Sequence, residues 1–337
     1  MRDLQVARRP TLAELPPPAE LPPPGKSGWP WTIETPQLPS MRFDGSQWPR
    51  ISIVTPSYNQ GQYIEETIRS VLLQGYPDLE YIIIDGGSSD QSIEIIKKYE
   101  PWLAYWVSEK DKGQSHAINK GLARATGQLF NWINSDDLLL PGALAAVGSA
   151  SRKDEAIAGA ILNFRSGTSQ IIENKGLSPA RLIAGDTDAG YHQPGLWFRP
   201  RRIVSAGGID ETLNYAFDFD MVLRYLAKYP EVTYLPQTLG SFRLHATSKT
   251  TSQHSGFHRE RMIVYNKLLS HPDCASLKRV CSRRLRSHAW WERIDAITRS
   301  HDSTALRALN IVLAMCADPS VRMSRLSLGA VKRVLFS

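Results

Sequence analysis

ISIVTPSYNQGQYIEETIRSVLLQGYPDLEYIIIDGGSSD, residues 51–90, is the stretch whose reading decides the fold. Ile51–Thr55 is a β-branched run of the kind that fills a strand buried on both faces. A polar turn follows, after which Ile64, Ile68, Val71 and Leu72 recur at helical spacing. Leu79–Asp85 is a second apolar strand, closed by Gly86-Gly87 before a helix through Ile93 and Ile96. Strand, helix and strand in this order predict a parallel βαβ unit.

Toward the C-terminus the alternation continues. Ala104–Val107 reads as a shorter strand, Ser115–Ala125 as a helix and Leu129–Ile133 as a strand, with Pro141 where the next helix begins. The expected fold class is therefore α/β: a mostly parallel central sheet flanked by helices. The second half is less regular. Ala156–Asn163 reads as a strand that Gln170–Glu173 pairs with, Ser205–Asp210 as a turn and Phe219–Tyr229 as an amphipathic helix. Val232–Leu235 and Leu239–Leu244 read as two short strands, and helix is expected from about Phe257 onward.

Toward the N-terminus, residues 1–49 carry two Pro-Pro-Pro runs, which predict an extended, poorly packed arm. Gly25-Lys26-Ser27 ends like a phosphate-binding loop. The position that needs the first glycine of that motif is Glu20, and no strand precedes it, so this reading fails.

The chain of 337 residues is 42% hydrophobic and 22% charged, ordinary for a globular protein. No run approaches the roughly 18 apolar residues of a spanning helix, and MRDLQVARRP lacks the apolar block of a secretory signal. Cys274, Cys281 and Cys316 suit neither a disulfide framework nor a zinc site. A reduced cytoplasm is the expected compartment. The net charge of +7 is uneven: residues 255–337 hold fifteen Lys/Arg against six Asp/Glu, or +9, leaving −2 elsewhere. That excess suits either a solvated helical surface or peripheral contact with an anionic membrane at its inner face. A nucleic-acid partner is not expected.

In parallel sheets, ligands sit beyond the carboxyl ends of the strands. Thr55, Asp85 and Asn134-Ser135-Asp136-Asp137 all fall at such ends. Adjacent carboxylates repel unless a cation relieves them, and a hard divalent ion, Mg²⁺ or Mn²⁺, suits oxygen ligands. Asp137 or Ser135 as a helix cap is the plainer alternative. Asp85 suits either a hydrogen bond from a base imide or ribose hydroxyl, or a role as a turn carboxylate. Asp90 is placed to cap the helix that follows.

Five motifs stand in one order: TPSYN (55–59), the Asp85 turn, EKDKG (109–113), AINKG (117–121) and NSDD (134–137). Together they resemble glycosyltransferase family 2, inverting enzymes of the GT-A fold, over about residues 50–250. The resemblance implies a GT-A domain at 50–250, between the arm that composition places at 1–49 and the basic helical segment that charge and pattern place at 251–337. Within the domain it implies nucleotide-sugar binding at 50–140 and the acceptor side at 141–250. It further implies that Thr55, Pro56 and Tyr58 frame the nucleotide, with Asp85 on its base and Asn119 on the donor side. Ser135-Asp136-Asp137 stands where the family carries its Asp-x-Asp element. That gives Asp137 the metal and Asp136 a sugar or ribose contact. Phe217-Asp218-Phe219-Asp220 resembles the start of the acceptor helix, whose acid is the general base: Asp218, with Asp220 the alternative. His245 would face the diphosphate or the metal.

The implied activity is transfer from a nucleoside-diphosphate sugar to a glycan or lipid-linked acceptor, with Mn²⁺ or Mg²⁺, in polysaccharide biosynthesis. A nucleotidyltransferase is the rival enzyme, but its basic Gly-rich loop has no counterpart in Pro56-Ser57-Tyr58-Asn59-Gln60-Gly61. A non-catalytic nucleotide-sugar-binding module is the other rival, and intact Asp85, Asp137 and Asp218 argue against it. No G-x-G-x-x-G follows a strand, which excludes a dinucleotide oxidoreductase.

Overall fold

β1 (Ile51–Ser57) is buried along its whole length, as its apolar run requires. In the computed structural model, which describes residues 10, 14, 25–151, 155–165, 168–244, 254–300 and 303–317, β1 pairs in parallel on both sides. Its partners are β2 (Leu79–Asp85) and β4 (Leu129–Trp132). β3 (Tyr105–Ser108) extends the sheet beyond β2, giving the order β3-β2-β1-β4. The chain therefore builds to one side of β1 and then crosses to the other, and such a reversal opens a crevice at the strand ends.

The connecting helices are α1 (Ile64–Leu72), α2 (Ser92–Tyr99) and α3 (Gln114–Leu122). α3 lies so close to β1 that a Cβ on Gly121 would fall 2.5 Å from the Val54 methyls, and only glycine permits that approach.

A second, mixed sheet contains β5 (Leu138–Leu139), β6 (Ala156–Arg165), β7 (Thr168–Ile172), β8 (Leu196–Trp197) and β9 (Val232–Arg243). Its order is β5-β9-β6-β7, with β8 also on β6. Phe130 and Phe198 exchange backbone hydrogen bonds of 2.8 and 2.9 Å, tying β4 to the chain just after β8. The two short strands expected at 232–235 and 239–244 are one strand. Pairing with β6 runs on both sides of a register shift at Ala158–Ala160, so Pro236 falls in an irregularity that does not end the strand. The expected pairing near Gln170 is present, because β7 runs antiparallel to β6. α4 (Ala143–Ala150), α5 (Pro179–Ala184), α6 (Pro200–Ser205) and α7 (Phe217–Lys228) complete the set as far as β9.

The arm is packed where the structure describes it. Trp29 donates its indole N–H to Leu139 O at 2.8 Å, and Trp31 is only 5% exposed. Thr35 bonds Leu73 O at 2.7 Å, and Arg69 holds Pro30 O at 3.0 Å with its guanidinium 5.0 Å from the Trp31 ring. The two Pro-Pro-Pro runs lie outside the described residues. Proline content alone predicted a loose arm; two tryptophans with an apolar surface to cover decide otherwise. Trp31→Ala is expected to lower the unfolding free energy by about 3–5 kcal/mol. At a few degrees per kcal/mol that is a fall in Tm on the order of 10 °C by calorimetry. A chain beginning near Ser46 should lose at least as much, and an unchanged Tm in both would show the contacts to be worthless.

The protein divides into two compact units, Met1–Arg261 and Met262–Ser337. α8 comprises His254–Ser270. In the second unit, α9 (Lys278–Arg299) and α10 (Thr304–Ala317) bury Trp290, Ile294, Ile311 and Ala314 together. No helix among the described residues is long and apolar enough to cross a membrane.

Candidate active site

A cavity of about 1000 Å³ opens at the carboxyl ends of β1, β2 and β4. From the sequence expectations it gathers Pro56, Tyr58, Asp136 and Asp218. Thr55, Asp85, Asn119 and Asp137 are not among its lining residues, and His245 lies outside the described residues. Thr55 is fully buried and bonds the Tyr81 hydroxyl at 3.0 Å. Asn119 holds Ile209 O at 2.8 Å and Glu211 at 2.9 Å, fastening α3 to the turn after α6.

Asp85 is also fully buried, and protein groups occupy its carboxylate. Oδ2 accepts from Gly87 N (3.1 Å), Ser88 N (2.8 Å) and Ser108 Oγ (2.7 Å), while Oδ1 accepts from Ser88 Oγ (2.5 Å). Ser88 Oγ in turn accepts from Asn59 N at 2.8 Å. Asp85 therefore shapes the turn and locks the ends of β1, β2 and β3 together, which is the turn-carboxylate alternative. Asp90 receives Ser92 N at 2.9 Å and Gly61 N at 2.8 Å, so it ties the start of α2 to the loop after β1.

The adjacent carboxylates after β4 point differently. Asp137 Oδ2 accepts from Asn134 Nδ2 at 3.0 Å and Oδ1 from Arg243 N at 3.1 Å. Burial first, and the charge of Asp136 second, hold its carboxyl well above the usual range. Asp136 lines the cavity beside Asn134 and Ser135. Arg243 braces this turn: its Nε donates to Asp136 O (3.1 Å) and its Nη2 pairs with Glu66 (3.0 Å). Of the pair, Asp136, expected to make a sugar or ribose contact, lines the cavity, and Asp137, expected to hold the metal, is not among its lining residues. The reason is tertiary, because the end of β9 arrives to claim Asp137.

The opposite wall is built by the start of α7. Glu260 on α8 accepts the backbone N–H groups of Asn214 (2.9 Å), Tyr215 (2.7 Å) and Ala216 (2.8 Å), which satisfies donors ahead of the helix and fixes its first turn. Asp218 then faces the cavity. Its Oδ2 lies 3.4 Å from the Tyr191 hydroxyl, and its Oδ1 accepts Phe219 N at 2.7 Å. Burial pushes the carboxyl up to about 6, against the opposing pull of Phe219 N–H, Arg261 and Tyr191. Tyr191 stacks on Phe219 at 5.6 Å, and the Arg261 guanidinium sits 4.8 Å from the same ring. Asp220 is elsewhere: it is buried against Arg224 at 2.6 Å, and Arg224 also holds Ala206 O and Gly208 O. Between the two acids of this turn, only Asp218 lines the cavity.

Sequence reasoning assigned no role to Tyr191, His258, Arg261 or Asp111, all of which line the cavity. Asp111 falls within the EKDKG motif, which is the available signal, and no quoted motif includes Tyr191. Arg261 and His258 lie in a basic helix where nothing distinguished them.

Residues 52–206 match glycosyl transferase family 2. The chain is 40% identical over 92 residues to the putative teichuronic acid biosynthesis glycosyltransferase TuaG of Bacillus subtilis, covering 26% of this chain and 36% of that protein. It thus spans about a third of the length of such curated relatives. Among solved structures, it superposes on S. aureus TarS 1–349 in complex with UDP-GlcNAc with a TM-score of 0.58 at 17% identity, covering 71% of this chain and 72% of that one. A mannosyltransferase of Pyrobaculum calidifontis, in complex with GDP-Man and Mn²⁺, gives 0.53 at 17% identity over 86% and 87%. At these identities the likeness shows the fold.

Proposed function

We propose, from the match of residues 52–206 to glycosyl transferase family 2, that this chain transfers a sugar from a nucleoside-diphosphate donor to an acceptor hydroxyl with inversion, in polysaccharide biosynthesis. The observation that carries this reading is one cavity with Asp136 on its β4 wall and Asp218 on its α7 wall. Asp218 Oδ2 takes the proton of the acceptor hydroxyl, with the Tyr191 hydroxyl orienting that oxygen. The acceptor oxygen attacks the anomeric carbon as the bond to the diphosphate breaks on the opposite face. No covalent enzyme intermediate is needed. The Pro56–Tyr58 end of the cavity, next to Gly86, holds the nucleotide.

A hard divalent cation, Mn²⁺ or Mg²⁺, would be held by Asp136, with Ser135 next to it on the cavity wall. Among the described residues there is no group of three or more His, Cys, Asp or Glu able to hold a metal. One carboxylate together with substrate phosphates is a sufficient setting for such an ion. When bound it offsets the negative charge that develops on the leaving diphosphate. The test is hydrolysis or transfer with UDP-, GDP- and dTDP-sugars, with and without Mn²⁺ or Mg²⁺. Turnover of at least one donor, lost in EDTA and restored by the ion, is expected; full activity in EDTA would refute the metal.

The acceptor is a glycan or lipid-linked hydroxyl, and the second unit favours the latter. α9 carries Lys278, Arg279, Arg283, Arg284, Arg286, Arg293 and Arg299 against Glu292 and Asp295, and α10 exposes Leu306, Leu309, Val312 and Leu313. Each basic group near an anionic leaflet contributes roughly 1 kcal/mol. Co-sedimentation with anionic vesicles that weakens as salt rises is the expected result. Equal recovery in the supernatant with anionic and neutral vesicles at low salt would rule out peripheral attachment at the inner face of the membrane. The apolar stretch at Val334–Phe336 lies outside the described residues.

A further inference from the structure

β5 is two residues long, so its pairing with β9 cannot by itself fix the turn that carries Asp136. Side chains from behind the turn supply the rest. Glu66, Thr67, Ser70 and Gln74 recur at the spacing of one helical face along α1 and its C-terminal end. The Thr67 hydroxyl donates to Asp137 O at 2.8 Å, and Leu139 N donates to Ser70 Oγ at 3.1 Å. Gln74 donates to Leu140 O at 3.0 Å and accepts from Leu144 N at 3.3 Å. Glu66 holds Arg243 at 3.0 Å, and the guanidinium lies 5.1 Å from the Tyr63 ring centre and 4.6 Å from that of Phe164. That guanidinium in turn donates to Asp136 O at 3.1 Å. The arm grips the same two elements. Arg69 of α1 donates to Pro30 O and to Trp31 O (3.3 Å), and Trp29 donates to Leu139 O at 2.8 Å. Leu139 is therefore held by α1 through its N–H and by the arm through its carbonyl, three residues after Asp136. Lys26 adds a 3.6 Å contact to Glu66, but at 43% side-chain exposure it contributes little.

We propose that the N-terminal arm is a positioning element of the active site: Trp29, by bonding Leu139 O, and Glu66, by holding Arg243, fix the turn from which Asp136 faces the cavity. This rests on the reading of Asp136 as the carboxylate that holds the cation. A site that binds a hard cation works when its oxygens are already in place, and the residues behind them keep them there. Without the Trp29 N–H, Leu139 O loses its donor and the chain after Asp137 is held from the α1 side alone. A turn loosened in this way must be ordered again each time the ion binds, which weakens binding without abolishing it. The arm thereby acts on turnover separately from its effect on Tm.

The experiment compares the full chain with Trp29→Phe, Glu66→Ala and, as control, Trp48→Phe. Trp48 donates the same kind of indole N–H, but to Pro39 O at 2.9 Å within the arm. Hydrogen exchange read by mass spectrometry, with no ligand present, follows peptides spanning 134–144. Trp29→Phe and Glu66→Ala should speed exchange there on the order of 10-fold, the effect of one lost hydrogen bond on a local opening. Trp48→Phe should leave those peptides at the wild-type rate. Mn²⁺ binding is then counted from the free-ion electron spin resonance signal, in the presence of UDP or GDP, whichever the wild-type protein binds. Trp29→Phe and Glu66→Ala should weaken Mn²⁺ by about 5–10-fold, the cost of ordering one backbone residue, and raised Mn²⁺ should restore their turnover. Trp48→Phe should keep the wild-type affinity whatever its Tm. Unchanged exchange over 134–144 in Trp29→Phe would overturn the proposal, as would equal acceleration in Trp48→Phe. Faster exchange with wild-type Mn²⁺ affinity would overturn it too, since the arm would then stabilise the fold and nothing more. A wild-type protein that binds no Mn²⁺ with either nucleotide would sink the reading of Asp136, and this inference with it, whatever the exchange shows.

Discussion

Asp218→Asn is expected to lower kcat by about 10²–10⁴-fold, the range for losing a positioned general base, with donor affinity unchanged. The amide keeps the shape of the carboxyl and its bond from Phe219 N but cannot take a proton. A second readout is the pH profile. Burial raises the Asp218 carboxyl to about 6. A base works deprotonated, so kcat/KM should hold above pH 6 and fall about tenfold per unit below it. The variant should lack that limb. Asp220→Asn is the contrasting case. Its partner Arg224 is buried with it, and removing one member of a buried pair destabilises by about 3–5 kcal/mol. It should lower Tm while the folded fraction keeps its kcat. A loss of turnover in Asp220→Asn at unchanged Tm, with Asp218→Asn fully active, would move the base one helical step along.

The second large effect belongs to Asp136. Asp136→Asn should reduce turnover on the order of 10²–10³-fold, the loss seen when one group that stabilises developing charge is removed. Part of that loss should return as Mn²⁺ is raised, because the weakened ion can be driven on by concentration. Tm should stay near the wild-type value, since Asp136 sits at the cavity wall. Asp137→Asn acts through a different route. Its carboxyl receives Asn134 Nδ2 and Arg243 N, so the substitution disturbs the turn and its bracing, and excess metal should not restore activity. If Asp137→Asn is the variant rescued by metal and Asp136→Asn is not, the two roles are exchanged.

The sequence by itself determined the parallel sheet and most of its elements. Ile51–Ser57 and Leu79–Asp85 are buried along their length, and burial on both faces writes itself into consecutive apolar residues that composition cannot hide. It also placed the polar residues at the strand ends, because chain direction in a parallel sheet puts every carboxyl end on one edge. Which of those residues faces the cavity was decided only by tertiary structure. Asp136 and Asp137 are neighbours with the same chemistry. They are told apart by Arg243, which reaches Asp137 from 106 positions away. Asp85 is taken up by Ser108 from a different strand, Glu260 fixes the first turn of α7 from a helix beyond β9, and Trp29 finds Leu139 O across the fold. Periodicity records whether a position is buried. It carries no record of which distant group satisfies a polar atom there, and that partner decides whether a carboxylate is spent on the fold or left to face the cavity.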